Sequence, residues 1–520
     1  MQNLISWALF FIFATIDGAS AQQSYVHRSS GLYYVPKNIS VNVTEVDLSQ
    51  NNIPNIVDDD LDNMVLLTKL DLSYNSITLI SVGSFNNTPL RILDLSNNPI
   101  GTVPHVTAIE NSLNELLMKN CDISDATGNI IFHYNSLNEV DLDGNHLTFI
   151  PDLVKSAGSL KRLSLNDNQI EFVNASALNV LYKLQFLYMS HNSLRSINGT
   201  LNLPSLRSLS LTNNNFNQMV DVSFLTTMTS LNMAENNLIF LPNTTFKASH
   251  YLQYLFLQDN KLQQVPDISG AKETVDTLYL HVNSITTIDE NHFEGCLSLT
   301  KLDLRQNLII SVAWMKSFGG SVRSVDLRYN QITQVPGETF TKATGLTDIN
   351  LGHNNISVFN FTILQFLPYL QVLHLNNNEI SKLQNPHPYC RGLACDQLEI
   401  KAANNHLSCD HTLCWAKAYT GILLTMSRVC FGAIPWDDVT VKDLNCKLFP
   451  VKNMLSHVGS TAYFVPHLLL EDEIEWLKMT EESGVSSIEC AAKCARMSKC
   501  QYYKVTTSNG TQNNSVCITL

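Results

Sequence analysis

The pattern L-x-x-L-x-L-x-x-N-x-L recurs along most of this chain, as in LTKLDLSYNSI from Leu67, LKRLSLNDNQI from Leu160, LQYLFLQDNKL from Leu252 and LQVLHLNNNEI from Leu370. Its asparagine position is filled by Asn51, Asn75, Asn98, Cys121, Asn145, Asn168, Asn192, Asn214, Asn236, Asn260, Asn283, Asn307, Asn330, Asn354, Asn378 and Asn405, spaced by 22 to 24 residues until a final step of 27. A period this regular overrides the expectation that 520 residues make three or four globular domains. Each unit is too small to bury its own apolar face, so stacking must supply the core. The alternating leucines predict a short parallel strand in every turn. The asparagine predicts a side chain that pairs with backbone groups where the chain leaves that strand.

This signature resembles that of the leucine-rich repeat, over about residues 32–446. The resemblance implies an α/β solenoid, a horseshoe with a parallel concave β-sheet, closed by a cysteine-rich C-terminal cap and followed by a small disulfide-stapled α+β tail domain. Cys121 is an accepted variant at the ladder position. Apolar marks such as Phe85, Phe246, Phe293 and Phe340 are expected on the outer wall. Sixteen strands at about 4.8 Å give an inner sheet on the order of 70 Å, sized for a macromolecule.

Residues 1–21 read as a signal peptide, with an apolar run from Leu4 to Thr15 and the small tripeptide Ala19-Ser20-Ala21. Ten N-x-Ser/Thr sequons, at Asn38, Asn42, Asn86, Asn174, Asn198, Asn243, Asn355, Asn360, Asn509 and Asn513, agree with a secreted, extracellular glycoprotein. Later apolar stretches are short and broken, so no membrane span is expected. A formal charge of -13 argues against nucleic acid as a partner.

The remaining organisation is expected as an N-terminal cap without cysteines at 22–42, repeats at 43–407, a cysteine-rich cap at 408–446, a linker at 447–462 and a tail module at 463–520. Cys409, Cys414, Cys430 and Cys446 resemble the C-terminal flanking domain of extracellular proteins such as Toll-like receptors and Slit, which implies the pairs Cys409–Cys430 and Cys414–Cys446. Cys390 and Cys395 are expected to staple the overlong repeat locally. In the tail, ECAAKCA and QYYKV followed by a terminal cysteine before a final strand resemble a reduced PAN/apple module, implying Cys490–Cys517 around Cys494–Cys500. Export favours disulfides over zinc thiolates, and Cys121 and Cys296 are expected as buried thiols.

The central concave position of each strand reads Asp47, Asp71, Asp94, Leu117, Asp141, Ser164, Tyr188, Ser210, Asn232, Phe256, Tyr279, Asp303, Asp326, Asn350, His374 and Lys401. Aspartate is the commonest occupant, so departures from it carry the information. Tyr188, Phe256 and Tyr279, flanked by Phe186 and Tyr254, set aromatic anchors on a solvent-facing sheet. His281, Arg305 and Arg328, with Tyr329, form a basic strip beside them. A competing expectation is that the arginines pair with Asp303 and Asp326 as cross-strand neighbours. None of the sequons in the solenoid falls on these positions. No nucleophile elbow, H-E-x-x-H or phosphate loop occurs, and DLDGN at Asp141 lacks the closing Glu of a calcium loop, so neither an enzyme nor a cofactor or metal is expected. The chain is expected to capture an extracellular protein or glycan on its concave face, in innate immunity or cell-surface signalling as a soluble receptor or co-receptor. A self-associating matrix component is the alternative.

Overall fold

The structure is a computed structural model that describes residues 24–125, 132–390, 397–417, 422–426 and 434–444, with the backbone alone of 418, 429–430, 449–450, 468–469, 500–504 and 515–519. The chain divides into two compact units, Met1–Lys261 with Pro266–Ala271, and Leu262–Val265 with Lys272–Leu520. Each is a stack of parallel three-residue strands. In the first, Ser24–Val26 pairs with Glu45–Asp47, and the ladder continues coil by coil to Tyr254–Phe256. In the second it runs from Thr277–Tyr279 to Leu423–Thr425.

From Glu45–Asp47 onward every strand of the two ladders presents a buried middle residue, such as Leu70, Leu163, Leu231, Leu302 or Leu373, on the opposite face from its two neighbours, while the middle residue of Ser24–Val26, Tyr25, is half-buried. The sixteen positions expected on the sheet face each close a strand, and the pairing keeps them in one row within each unit. Phe85, Phe246, Phe293 and Phe340 are wholly buried on the far side, as expected. That side also carries short parallel pairs the repeat pattern does not announce: Asn55–Ile56 with Leu79–Ile80, Phe172–Asn174 with Ser196–Asn198, and Gln334–Val335 with Val358–Phe359.

The ladder asparagines work as the sequence implies. Asn98 donates to Leu72 O at 2.9 Å and Leu95 O at 2.8 Å, and its Oδ1 accepts from Ile77 N at 2.9 Å. One side chain thus ties two coils together through backbone groups that burial would otherwise strand unpaired. Cys121 supplies only a donor, its Sγ 3.2 Å from Leu95 O, and Ile100 N turns to Asn98 O in its own coil instead. Burial pushes the Cys121 thiol up to about 12 and the Cys296 thiol to about 11, so both are inert. The residue just before every ladder position has a positive φ, from Gln50 at 57° through Gly144 at 67° to Asn404 at 54°. The left-handed residue is what turns the chain out of the strand.

The aspartates of the sheet face also have a local reason to be there. Asp47, Asp71, Asp94 and Asp141 each accept, through Oδ1, the backbone N–H two residues on, at 2.9 to 3.0 Å. Asp303, Asp326, Asn232 and Asn350 do the same. The acidic row is therefore a row of strand-ending turns.

Residues 24–42 extend the first unit by one strand, and Asn51 fastens them by accepting from Ser30 N and Leu32 N and donating to His27 O. At the other end Leu423–Thr425 adds a strand, and the buried indole of Trp436 donates to Leu424 O at 3.0 Å. Cys390, Cys409 and Cys414 are each disulfide-bonded. Cys395, Cys446, Cys490 and Cys494 lie outside the described residues, as does the expected signal peptide. Phe449–Pro450, within the span expected as a linker, pairs antiparallel with Leu468–Leu469. In the tail, Cys500–Lys504 and Ser515–Thr519 form an antiparallel hairpin, so Cys517 sits inside the final strand rather than before it.

Candidate functional surface

Where the sheet-face position is neither Asp nor Asn, this turn-closing bond is absent, and the side chain is available for other contacts. Two such residues, Tyr279 in the second unit and Tyr188 in the first, each gather charged neighbours around their rings.

In the second unit Tyr279 ends its strand beside Asp303 of the next coil. Lys301 Nζ lies 5.1 Å from the centre of the Tyr279 ring, and the His281 ring tilts against it at 5.8 Å. His281 Nδ1 is 3.3 Å from Asp303 Oδ2, at an angle that forms no hydrogen bond. Arg305 Nε approaches the same carboxylate at 3.6 Å. Arg328 grips Asp326 with Nε at 3.1 and 3.0 Å from the two oxygens and Nη2 at 2.8 Å. These hydrogen bonds hold the guanidinium even more firmly protonated than usual.

Both arginines therefore pair with the expected aspartates, Asp303 and Asp326, but each with the one two residues earlier in its own coil, where the strand ends, rather than across strands. Residues i and i+2 share a sheet face, so no neighbouring coil is needed. The carboxylates lie beneath, with side chains 10% and 18% exposed for Asp303 and Asp326, and the guanidinium groups lie above at 34% and 35% for Arg305 and Arg328. A ligand would meet the cations first. Tyr329, exposed and in the left-handed conformation, stacks on His353 of the following coil. Burial, and then the charge of Arg328, lowers the His353 pKa.

In the first unit the cluster centres on a residue that sequence reasoning did not single out. The Arg162 guanidinium lies over the Phe186 ring at 4.6 Å and the Tyr188 ring at 5.6 Å, donates to Tyr188 Oη at 3.3 Å, and has Glu139 at 3.6 Å on its other side. The signal was present: Arg162 pairs with Phe186 and occupies the first outward position of its strand, as Lys301 does in the second unit. Tyr254 is exposed and Phe256 half-buried, opposite Ser230 and Asn232. Among the described sequons, Asn38, Asn42, Asn86, Asn174, Asn198, Asn243 and Asn355 are exposed and Asn360 is half-buried. Asn509 and Asn513 lie outside the described residues. Asn174 and Asn198 pair directly, on the far-side sheet. No described helix is long and apolar enough to cross a membrane.

The leucine-rich repeat family model matches residues 65–123, 135–194, 158–216 and 320–383. Mouse (Mus musculus) keratocan is 30% identical over 261 residues, covering 46% of this chain and 72% of that protein. Human (Homo sapiens) fibromodulin is 28% identical over 273 residues, covering 49% and 70%. Among solved structures, a leucine-rich-repeat protein of Leptospira interrogans superposes with a TM-score of 0.56 at 23% identity, covering 69% of this chain and 92% of that one. That last likeness concerns the fold alone.

Proposed function

Because this chain belongs to the leucine-rich-repeat family, we propose that it acts by recognition, as a secreted protein that captures an extracellular protein or glycan on the outward face of its strands. The observation that carries this reading is the exchange at Tyr188, Phe256 and Tyr279: the strand-ending acid is replaced by an aromatic ring, and a cation, Arg162 or Lys301, is drawn over the ring in two of the three cases. Rings and guanidinium groups lose little conformational freedom on binding and desolvate cheaply, which suits them as anchors. The coils beneath are fixed by ladder hydrogen bonds, so little ordering is paid at the moment of capture. Kinship with keratocan and fibromodulin supports an extracellular setting. The reading contains no catalytic step, cofactor, nucleic acid or membrane span.

The test is a binding panel of extracellular proteins and microbial glycans against the wild type, a Tyr279→Ala/Arg305→Ala double variant and an Arg162→Ala/Tyr188→Ala double variant. Loss of a ligand in one variant assigns it to that unit. A ligand bound equally by all three removes the proposed surface.

The same kinship favours one other reading, a matrix component that self-associates. Light scattering of the secreted protein separates the two, because a matrix component forms higher oligomers unaided.

A further inference from the structure

Away from the strand face, three side chains from two successive coils converge: His105, Glu110 and His133, with their ligand atoms all within 4.8 Å of one another. His105 Nε2 is 2.6 Å from Glu110 Oε1, and the two imidazoles lie nearly parallel with centroids 4.0 Å apart. We propose that these residues bind a divalent transition metal, zinc foremost.

The site is built on the core. His133 lies between Phe132 and Tyr134, both wholly buried, and His105 lies between buried Pro104 and Val106. Glu110 follows the buried Ile109 at the end of the 3₁₀ turn Thr107–Ile109. The two coils are cross-linked on either side of the cluster: Tyr134 Oη donates to Pro104 O at 2.6 Å, and Asn135 N donates to Glu110 O at 2.8 Å. The backbone of all three residues is therefore held in place, and only side-chain rotations separate the present arrangement from a coordination sphere. Zinc at about 2.0–2.1 Å from each ligand sets them about 3.4 Å apart, well inside what those rotations reach.

The donor set selects the ion. Two imidazole nitrogens and one carboxylate suit zinc and its neighbours, whereas calcium and magnesium take oxygen ligands. Two imidazoles this close repel when both are protonated, but as neutral ligands they share one dication, which takes the place of the proton now between His105 and Glu110. Three protein ligands leave a fourth position for water or a group from a partner.

Zinc binding is measured on the full secreted chain, stripped with EDTA, in competition with a chromophoric chelator. The wild type is expected to take up one Zn²⁺ per chain, with Ca²⁺ failing to compete. His133→Ala and Glu110→Gln should each weaken binding by about tenfold or more, and His105→Ala/His133→Ala should abolish it, while thermal melts in EDTA stay close to the wild type. Should a histidine variant fail to fold, Glu110→Gln, which keeps the shape of the side chain, carries the test. No saturable uptake by the wild type, equal uptake by the variants, or equal competition by Ca²⁺ would overturn the proposal.

Discussion

Tyr329 and His353, which hold the same left-handed position in successive coils, lie ring on ring with centroids 4.0 Å apart and planes 19° from parallel. Similar contacts between side chains at this position recur: Asn97 accepts from Asn120, Asn213 meets His191 at 3.0 Å, and Asn377 meets His353 at 3.0 Å and accepts from Asn404. The residues that turn the chain out of its strands thus brace one another along the stack.

His353 should make stability depend on pH. Its folded-state pKa is depressed below the usual 6.5 by burial and by Arg328. The unfolded chain then binds more protons in the window below 6.5, so the stabilisation is complete above that value and is lost as pH falls through the folded pKa. His353→Phe keeps a ring on Tyr329 and removes the titration. Its melting temperature is expected to fall less than that of the wild type between pH 7 and pH 5, and parallel curves would contradict the assignment.

Asp141 works in the opposite sense. Burial raises its pKa to about 6, with the charges of Asp143 and Glu139 contributing. The folded state holds the proton more tightly, so stability declines as pH rises from the unfolded value near 3.8 through about 6. Asp141→Asn retains an oxygen for Asp143 N and removes the charge. It should stabilise the protein by ~1 kcal/mol at pH 7, after allowance for solvent screening, and by almost nothing near pH 3. Denaturant melts at the two pH values measure the difference.

Each ladder asparagine should be costly to lose. Asn236 donates to Leu211 O, Met233 O and Ala234 O at 3.0 to 3.2 Å and accepts from Phe216 N at 3.1 Å. Asn236→Ala leaves several buried backbone groups without this partner, at about 1–3 kcal/mol for each one left unsatisfied, so a total loss near 3 kcal/mol is expected. Asn236→Asp, which adds a buried charge and removes the donors, should cost more. A loss below about 1 kcal/mol in urea unfolding would mean that water replaces the side chain.

Among the described residues, Val282 is the one β-branched residue in the left-handed conformation, with φ 53°. Branching at Cβ makes this conformation unfavourable by roughly 1–2 kcal/mol, whereas Asn tolerates it. Val282→Asn is expected to stabilise the protein by ~1 kcal/mol, and Asn213→Val to destabilise it by a similar amount. Calorimetry on the pair checks both signs.

Cys121 shows how far the pattern could be read. The sequence marks it as a ladder substitute, and it does donate to Leu95 O, but the backbone rearrangement by which Ile100 compensates for the missing acceptor has no trace in the pattern. The aspartates of the sheet face are legible as a repeat feature, while their role as acceptors for the N–H two residues on emerges only from the turn geometry. Tyr279, Arg305 and Arg328 could be placed on one face from the period alone. That Asp303 and Asp326 lie beneath the arginines of their own coils, and that Lys301 and Arg162 cover aromatic rings, depends on rotamers that a period does not encode.

What the sequence determined by itself is everything that repeats: strand position, inward and outward register, the ladder, and the buried phenylalanines of the far side. These follow because each coil meets the same two neighbours, so one local pattern fixes its burial and its backbone pairing many times over. The tertiary structure alone decided what does not repeat. His105, Glu110 and His133 come from irregular half-coils whose spacing obeys no period, and they meet only because stacking sets one coil directly upon the next.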